Sequence, residues 1–314
     1  MSDRPAGRPE SKKSLIVILG PTGVGKSDAA IELAEHFVTD IISADSRQFY
    51  REMKTGTAVP SDEQLARVRH HFIRFISVKE YFSASLFERA VISLLPSLFK
   101  PSDVVFMAGG SGLYIDAVCK GIDDIPDTDP VVREKYNSKY KEEGIESLRK
   151  ELKIVDPVFY SRVDLRNHKR IIRALEVYAT TGLPYSGFLV KKTAERDFSI
   201  IKIGLTRDRA ELYSRINSRV DEMLRLGLEE EARELHGLKE LSPLKCVGYS
   251  EFFDFFDGLI THEKAVELIK RNSRHYAKRQ LTWWSRDSEI TWFHPGEIHK
   301  MITFITNKAG RVNE

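Results

Sequence analysis

The eight residues Gly20, Pro21, Thr22, Gly23, Val24, Gly25, Lys26 and Ser27 restrict the possible folds of this chain more than any other feature. They satisfy the pattern G-x-x-x-x-G-K-[ST] at every fixed position. In such a loop the glycines let the backbone wrap closely around a phosphate, with its N–H groups turned inward. The helix that follows adds the positive end of its dipole. Lys26 supplies a point charge, and the Ser27 hydroxyl is placed to bind Mg²⁺. The flanks agree with this. Ser14 to Leu19 is a continuous apolar run, as expected of a strand buried on both faces, and Ala30, Leu33, Ala34 and Phe37 recur at helical spacing after Lys26. Strand, loop and helix follow in the order the motif requires, which makes this a diphosphate or triphosphate site.

Three further apolar runs read as strands. Ile41 to Ala44 ends at Asp45, Val104 to Ala108 ends at Gly109-Gly110, and the third is Ser199 to Leu205. Strands separated by helical stretches imply an α/β fold: a P-loop NTPase-like parallel sheet flanked by helices. Between about Ile125 and Arg196 the chain becomes charged and helical in pattern. One helix is expected to start near Asp156-Pro157, and another to run from Lys169 to Thr181 and stop at Gly182, ahead of Pro184. The expected organisation is a core of residues 1–122 and 199–314 and a helical insertion domain, 123–198. From Arg209 onward the pattern is again mainly helical, and no internal repeat is present.

Composition narrows the class. With 41% hydrophobic and 30% charged residues in 314, the chain is globular rather than disordered or fibrous. Its longest apolar runs fall far short of the roughly 20 residues that cross a bilayer. The first fourteen residues, with Pro5, Pro9, Lys12 and Lys13, are polar and read as a short disordered lead. Cys119 and Cys246 are too few and too distant for a disulfide framework or a zinc site, so a reducing cytoplasm is the expected location. The net charge of +3 is small, and its distribution matters more than its total.

The loop alone does not say which phosphate it holds. Most such loops take ATP or GTP, which makes a nucleotide-dependent kinase the rival reading. Such a kinase usually closes a later apolar strand with a Mg²⁺-binding Asp. Here Val104 to Ala108 ends in Gly109-Gly110-Ser111 instead. Asp45, at the carboxyl end of a presumed central strand, falls on the edge where open parallel sheets hold their ligands. Its position permits a general base, a Mg²⁺ ligand or a helix cap.

Beyond these blocks the chain carries Ser43-Ala-Asp-Ser-Arg-Gln48, Thr55-Gly-Thr-Ala58 with Pro60, and Gly109-Gly-Ser-Gly-Leu-Tyr114. It also carries Arg170-Ile-Ile-Arg-Ala-Leu-Glu-Val177, Cys246-Val-Gly-Tyr249 and Ala277-Lys-Arg-Gln-Leu-Thr-Trp283. In this order, with the phosphate loop, the blocks resemble the tRNA dimethylallyltransferases of bacterial type and span nearly the whole sequence. Two positions depart from the usual pattern: Val59 stands where the family often has Lys, and Ser111 where it often has Thr. The zinc finger appended in some eukaryotic members is not among the blocks.

The resemblance implies a prenyltransferase that uses dimethylallyl diphosphate and consumes no ATP. Gly20 to Ser27 would cradle the diphosphate, with Lys26 and Mg²⁺ neutralising it. Thr22 would hydrogen-bond near the bridging oxygen, and Arg219, within Arg215-Ile-Asn-Ser-Arg219, would clamp the same group. Asp45 would take the proton from the exocyclic N6 amine of adenosine-37, beside the anticodon, once the base has flipped into a tunnel. The resemblance maps contacts with the tRNA anticodon stem-loop onto Asp45, Ser46, Arg47, Gln48, Ser111, Arg133, Lys169, Arg170, Ile171, Ile172 and Arg173. In the C-terminal part it adds Lys245, Cys246, Val247, Gly248, Tyr249 and Ser250, then Lys278, Arg279, Gln280, Leu281, Thr282, Trp283, Trp284 and Ser285. No membrane contact is implied, and a monomer is expected.

Charge distribution points the same way. From Leu268 to Arg286 there is no acidic residue, and on a helix Arg271, Arg274, His275 and Lys278 form one stripe while Ile269, Asn272, Tyr276 and Trp283 form another. Arg162, Arg166, Lys169, Arg170 and Arg173 form a second basic cluster in the insertion. Two clusters favour a clamp on a large anion over two solvated helix faces. Trp283 is expected in the core, and Cys246 is expected as a small packed residue near the tunnel rather than a nucleophile. A kinase would leave both clusters unused, and a non-catalytic RNA-binding protein would leave Gly20 to Ser27 unused.

Overall fold

The computed structural model describes residues 13–127, 129–190 and 193–310. The lead expected over the first fourteen residues lies outside the described residues, apart from Lys13 and Ser14, and Ser14 already opens the first strand. The strands are β1 (Ser14–Leu19), β2 (Ile41–Ser43), β3 (His70–His71), β4 (Val104–Gly109), β5 (Ser199–Leu205) and β6 (Thr291–Phe293). The helices before the insertion are α1 (Lys26–Phe37), α2 (Asp62–Arg67), α3 (Ala84–Leu98) and α4 (Gly112–Lys120). Within it are α5 (Pro130–Glu143), α6 (Ile145–Val155), α7 (Pro157–Tyr160), α8 (His168–Thr181) and α9 (Tyr185–Phe188). Beyond it come α10 (Arg209–Arg225), α11 (Leu228–Leu235), α12 (Ser250–Phe256), α13 (His262–Trp284) and α14 (Ile298–Lys308).

The strands form one sheet in the order β3-β2-β4-β1-β5-β6, with every pairing parallel. β1 lies in the middle and is buried along its whole length. Its side chains alternate: Leu15, Val17 and Leu19 join one apolar cluster, and Ile16 and Ile18 join the other. That is why the run reads as continuously apolar instead of amphipathic. Register brings the carboxyl ends together, since Leu19 pairs with Gly109 and Gly204, and Ser43 pairs with Ala108. The phosphate loop, Asp45 and Gly110 therefore emerge on one edge of the sheet.

Two strands escaped the sequence reading. β3 and β6 are two and three residues long, too short for an alternating pattern, and only their pairing to β2 and β5 identifies them. Among the described residues, the region after Arg209 is thus mainly helical, with β6 as its strand. The long basic helix also begins earlier than its apolar stripe suggested. Thr261 caps it through its side chain, which accepts from Lys264 N at 3.2 Å.

The chain divides into two compact units, one of Met1–Cys119 with Glu195–Glu314 and one of Lys120–Ala194. The division falls a few residues before the boundaries expected at 123 and 198. The smaller unit packs around Tyr136, Leu148, Leu152, Ile171, Ile172 and Leu175. Asn167 caps α8 by accepting from Arg170 N, and Gly182 ends it in the left-handed conformation (φ 72°). The helix expected to start at Asp156-Pro157 is only the four-residue α7. Asp156 is buried, and its carboxylate accepts from Phe159 N as well as from Ser186 N and Oγ, so it fastens α9 as well as capping α7.

Candidate active site

The phosphate loop follows β1 directly, with Gly23 at φ 78° and Gly25 at φ 106°, both left-handed conformations that glycine adopts without strain. Lys26 opens α1 and turns its ammonium back along the loop, donating from Nζ to Gly20 O and Pro21 O, each at 2.9 Å. Burial lowers its pKa to about 8, opposed by the nearby negative charge of Asp45 and assisted by the positive charge of Arg219. Arg219, from α10, donates to Thr22 Oγ1 at 3.4 Å, and its own pKa is lowered by burial. Two more guanidinium groups support the loop from behind: Arg207 Nε donates to Val24 O at 2.8 Å, and Arg215 Nε to Gly23 O at 3.0 Å. Ser27 is exposed at the first turn of α1.

Asp45 stands just past β2, and its Oδ1 accepts from Arg47 N at 3.1 Å. Next to it, Ser111 Oγ accepts from Ser46 N at 2.9 Å and donates to Ser46 Oγ at 3.1 Å. The hydroxyl at position 111 is thus used, and a methyl is not needed for it. Gln48 is buried and points away from the site: it accepts from Ser43 Oγ, and its Nε2 donates to Thr57 O and Ala58 O.

A cavity of about 700 Å³ opens between these groups and helices α10 and α13. It is lined by the polar residues Thr22, Asp45, Ser46 and Arg47, by the apolar Ile216, Val220 and Ile269, and by Lys245 to Gly248. Burial pushes the Cys246 thiol up to about 11, and Sγ donates to Pro243 O, so this residue is a protonated packing group and no nucleophile.

Several residues named from sequence act here as supports. Gln280 is only 6% exposed, and its Oε1 accepts from Thr22 N at 2.8 Å while Nε2 donates to Gly110 O at 2.8 Å. It ties the phosphate loop to the end of β4. Ile171, Ile172, Tyr249 and Trp284 have buried side chains. Trp283 corrects an expectation. It is 46% exposed at the cavity rim, with indole Nε1 donating to Asp116 Oδ2 at 2.9 Å, while its neighbour Trp284, 3% exposed, takes the core position. Arg274 likewise leaves the basic stripe, because its Nη1 donates to Asn217 Oδ1 on α10 at 2.6 Å. His275, Lys278, Arg279 and Arg286 remain, with Thr282 and Trp283, around a second open groove. In the smaller unit Arg162, Arg166, Lys169 and Arg170 are exposed. Arg133 and Arg173 instead pair with the buried carboxylate of Glu176, and Arg173 also donates to Pro126 O.

Glu231, on α11, went unnoticed in the sequence. Its carboxylate accepts from Lys54 N, Thr55 N and Gly56 N at 2.7–2.9 Å and from Tyr249 Oη at 2.7 Å. Gly56 is required there, since a Cβ would lie 2.5 Å from the Tyr249 ring. The held loop contributes Gly56 and Thr57 to the cavity wall. Nothing in the run Glu229-Glu230-Glu231 distinguishes the third acid from its neighbours. Glu231→Ala would strip four donors of their acceptor, and unfolding in denaturant should show a loss of about 2–4 kcal/mol. A loss under 0.5 kcal/mol would mean that water replaces the carboxylate.

The family model described as IPP transferase matches residues 48–287, so the phosphate loop and Asp45 precede the matched span. A tRNA dimethylallyltransferase of Bacteroides fragilis is 50% identical over 293 residues, 93% of this chain and 97% of its own length. The chain belongs to this family. The crystal structure of a tRNA isopentenylpyrophosphate transferase from Bacillus halodurans, 35% identical, superposes with a TM-score of 0.69 over 95% of this chain and 97% of that one. A eukaryotic dimethylallyltransferase acting on tRNA, 23% identical and covering 95% of this chain and 77% of its own, shares the fold with a TM-score of 0.75.

Proposed function

We propose that this protein transfers the dimethylallyl group of dimethylallyl diphosphate to the N6 amine of adenosine-37 of tRNA, releasing diphosphate. Family membership supports the reaction class. The observation that carries the reading is the placement of Asp45 on the same cavity as Thr22 and Arg219. In one step the N6–C1 bond forms, the C1–O bond to diphosphate breaks, and the amine proton passes to the Asp45 carboxylate. The adenine amine is a weak nucleophile because its lone pair is delocalised into the ring, so a base and a stabilised leaving group are both needed. Thr22 and Arg219 meet at the side chain of Thr22, where hydrogen bonds to the leaving oxygens strengthen as charge builds.

Mg²⁺ would be held by Ser27 Oγ together with diphosphate oxygens and water. The exposed hydroxyl at the start of α1 suits that arrangement, and among the described residues no group of three or more His, Cys, Asp or Glu forms a protein cage. When bound, the ion supplies neutralising charge to the diphosphate. No helix among the described residues is long and apolar enough to cross a membrane, and we place the protein in the cytoplasm, as a monomer. Incubation with unmodified tRNA and labelled dimethylallyl diphosphate tests the reading. Prenyl transfer without nucleotide supports it, and transfer only with ATP overturns it.

The tRNA would be bound by both basic clusters. Neutralising Lys169 and Arg170, or Lys278 and Arg279, should weaken tRNA binding and flatten its salt dependence by roughly 0.7–0.9 in logarithmic slope per lost phosphate contact. Affinity for the small diphosphate should not change with either pair. Binding isotherms at several salt concentrations check this, and a silent Lys169/Arg170 pair would remove the insertion from tRNA recognition.

A further inference from the structure

The apolar wall of the cavity is built by two antiparallel helices that diverge from the phosphate loop as a pair. Arg274 contacts Asn217 and Lys270 contacts Asp221, so descending along α13 means ascending along α10. Both helices are anchored at the loop. Arg219 and Gln280 meet Thr22, and Ile216 abuts Gly23, where an added Cβ would lie 2.8 Å from Ile216 Cγ1. From that anchor, Ile216, Val220 and Met223 share one face of α10, and all three line the cavity with Ile269 of α13. At about 1.5 Å per residue, Val220 lies roughly 6 Å and Met223 roughly 10 Å beyond Ile216 along the helix axis. By the Arg274–Asn217 and Lys270–Asp221 pairs, Ile269 is level with Met223.

We infer that Met223 and Ile269 close the far end of a slot for the isoprenoid tail and so limit the allylic substrate to one isoprene unit. This rests on the prenyl-transfer reading and names the feature that selects its donor. The diphosphate is fixed at the loop, and the successive apolar turns of α10, starting at Ile216 beside Gly23, offer the tail a path away from it. A dimethylallyl chain extends roughly 4 Å beyond its C1 carbon, counting three carbon–carbon bonds in line, and ends beside Val220. A geranyl chain would extend roughly 9 Å and needs the volume that Met223 and Ile269 fill. Near these side chains the cavity also presents Asn272, whose Nδ2 donates to the buried carboxylate of Glu251 at 2.7 Å. A longer apolar tail would be pressed against a hydrogen-bonded polar pair and gain little from burial there. Met223 is the residue to change: it is partly exposed to the cavity, whereas truncating the fully buried Ile269 would leave a void in the core.

The test compares kcat/KM for dimethylallyl and geranyl diphosphate with tRNA as acceptor, in the wild-type protein and in Met223→Ala. A single extra methylene in an apolar pocket already changes discrimination by about 10–200-fold. The geranyl-to-dimethylallyl ratio should therefore rise at least about tenfold in the variant, and geranyl diphosphate should inhibit dimethylallyl transfer correspondingly better. Inhibition by inorganic diphosphate should stay as in the wild type, because the loop, Lys26 and Arg219 are untouched. An unchanged ratio in a folded variant overturns the inference, as does a raised KM for tRNA at constant ratio, which would put the adenine in the slot. Met223→Val, which removes less volume, gives the same readout should the alanine variant not fold. A wild-type protein that transfers no dimethylallyl group to tRNA would instead overturn the function reading, so the two failures are distinguishable.

Discussion

Asp45→Asn is expected to lower turnover on tRNA by ~10²–10⁴, the range that loss of a positioned general base produces. The amide keeps the size of the carboxylate and can still accept from Arg47 N, so the loop after β2 should hold its shape. What it loses is the capacity to take the amine proton. Binding should respond in the opposite direction to turnover. Asp45 is the negative charge that counters the lowering of the Lys26 pKa and also acts on Arg219. Without it, both cations are freer to serve the diphosphate, so inorganic diphosphate should bind at least as tightly at pH values where Lys26 stays protonated. The Lys26 pKa should fall further below about 8, which brings the loss of diphosphate affinity at alkaline pH to a lower pH. Single-turnover kinetics beside equilibrium binding would separate the two effects, and near-normal turnover would remove Asp45 from the mechanism.

Lys26→Met should cost ~10²–10³ in kcat/KM for dimethylallyl diphosphate, the effect of deleting one preorganised donor to a developing anion. Affinity for tRNA should be nearly unaffected, since the basic clusters proposed to hold its backbone are untouched. In the wild-type protein the same residue predicts a pH dependence. The protonated ammonium is the form that binds an anion, and in the free protein it is present below about pH 8. As pH rises through that value the amine becomes neutral, and diphosphate affinity should fall, approaching tenfold per pH unit above it. Calorimetric titration with inorganic diphosphate across this range, with Lys26→Met as control for the ligand's own ionisation, reads the difference directly. If wild type and variant followed parallel curves, Lys26 would not be the titrating group.

How much of this was legible beforehand follows from the range over which each signal acts. The phosphate loop is a local object. Its glycines, Lys26 and Ser27 are consecutive, the strand before it is buried on both faces, and the helix after it keeps its apolar period. Sequence alone therefore determined the α/β class, the phosphate-loop motif and the edge of the sheet on which Asp45 lies. The ordered blocks from Ser43 to Trp283 carried the family resemblance for the same reason, because each is a short contiguous run.

What only the tertiary structure decided is which side chains support that site. Gln280 reaches Thr22 across 258 positions of sequence, and Glu231 reaches the loop at Lys54 to Gly56 across 175–177. No periodicity links such pairs, since each depends on where the helix lands after the chain has folded. Trp283 and Trp284 make the same point over a single residue. Adjacent helical positions point about 100° apart, so the phase of α13 against the sheet determines which indole is buried and which stands at the cavity rim. Arg274 shows it once more, taken from the basic stripe by Asn217 of the packed neighbour. Local pattern determined the element and its chemistry, while the packing of α10, α11 and α13 on the sheet determined the orientation of each side chain.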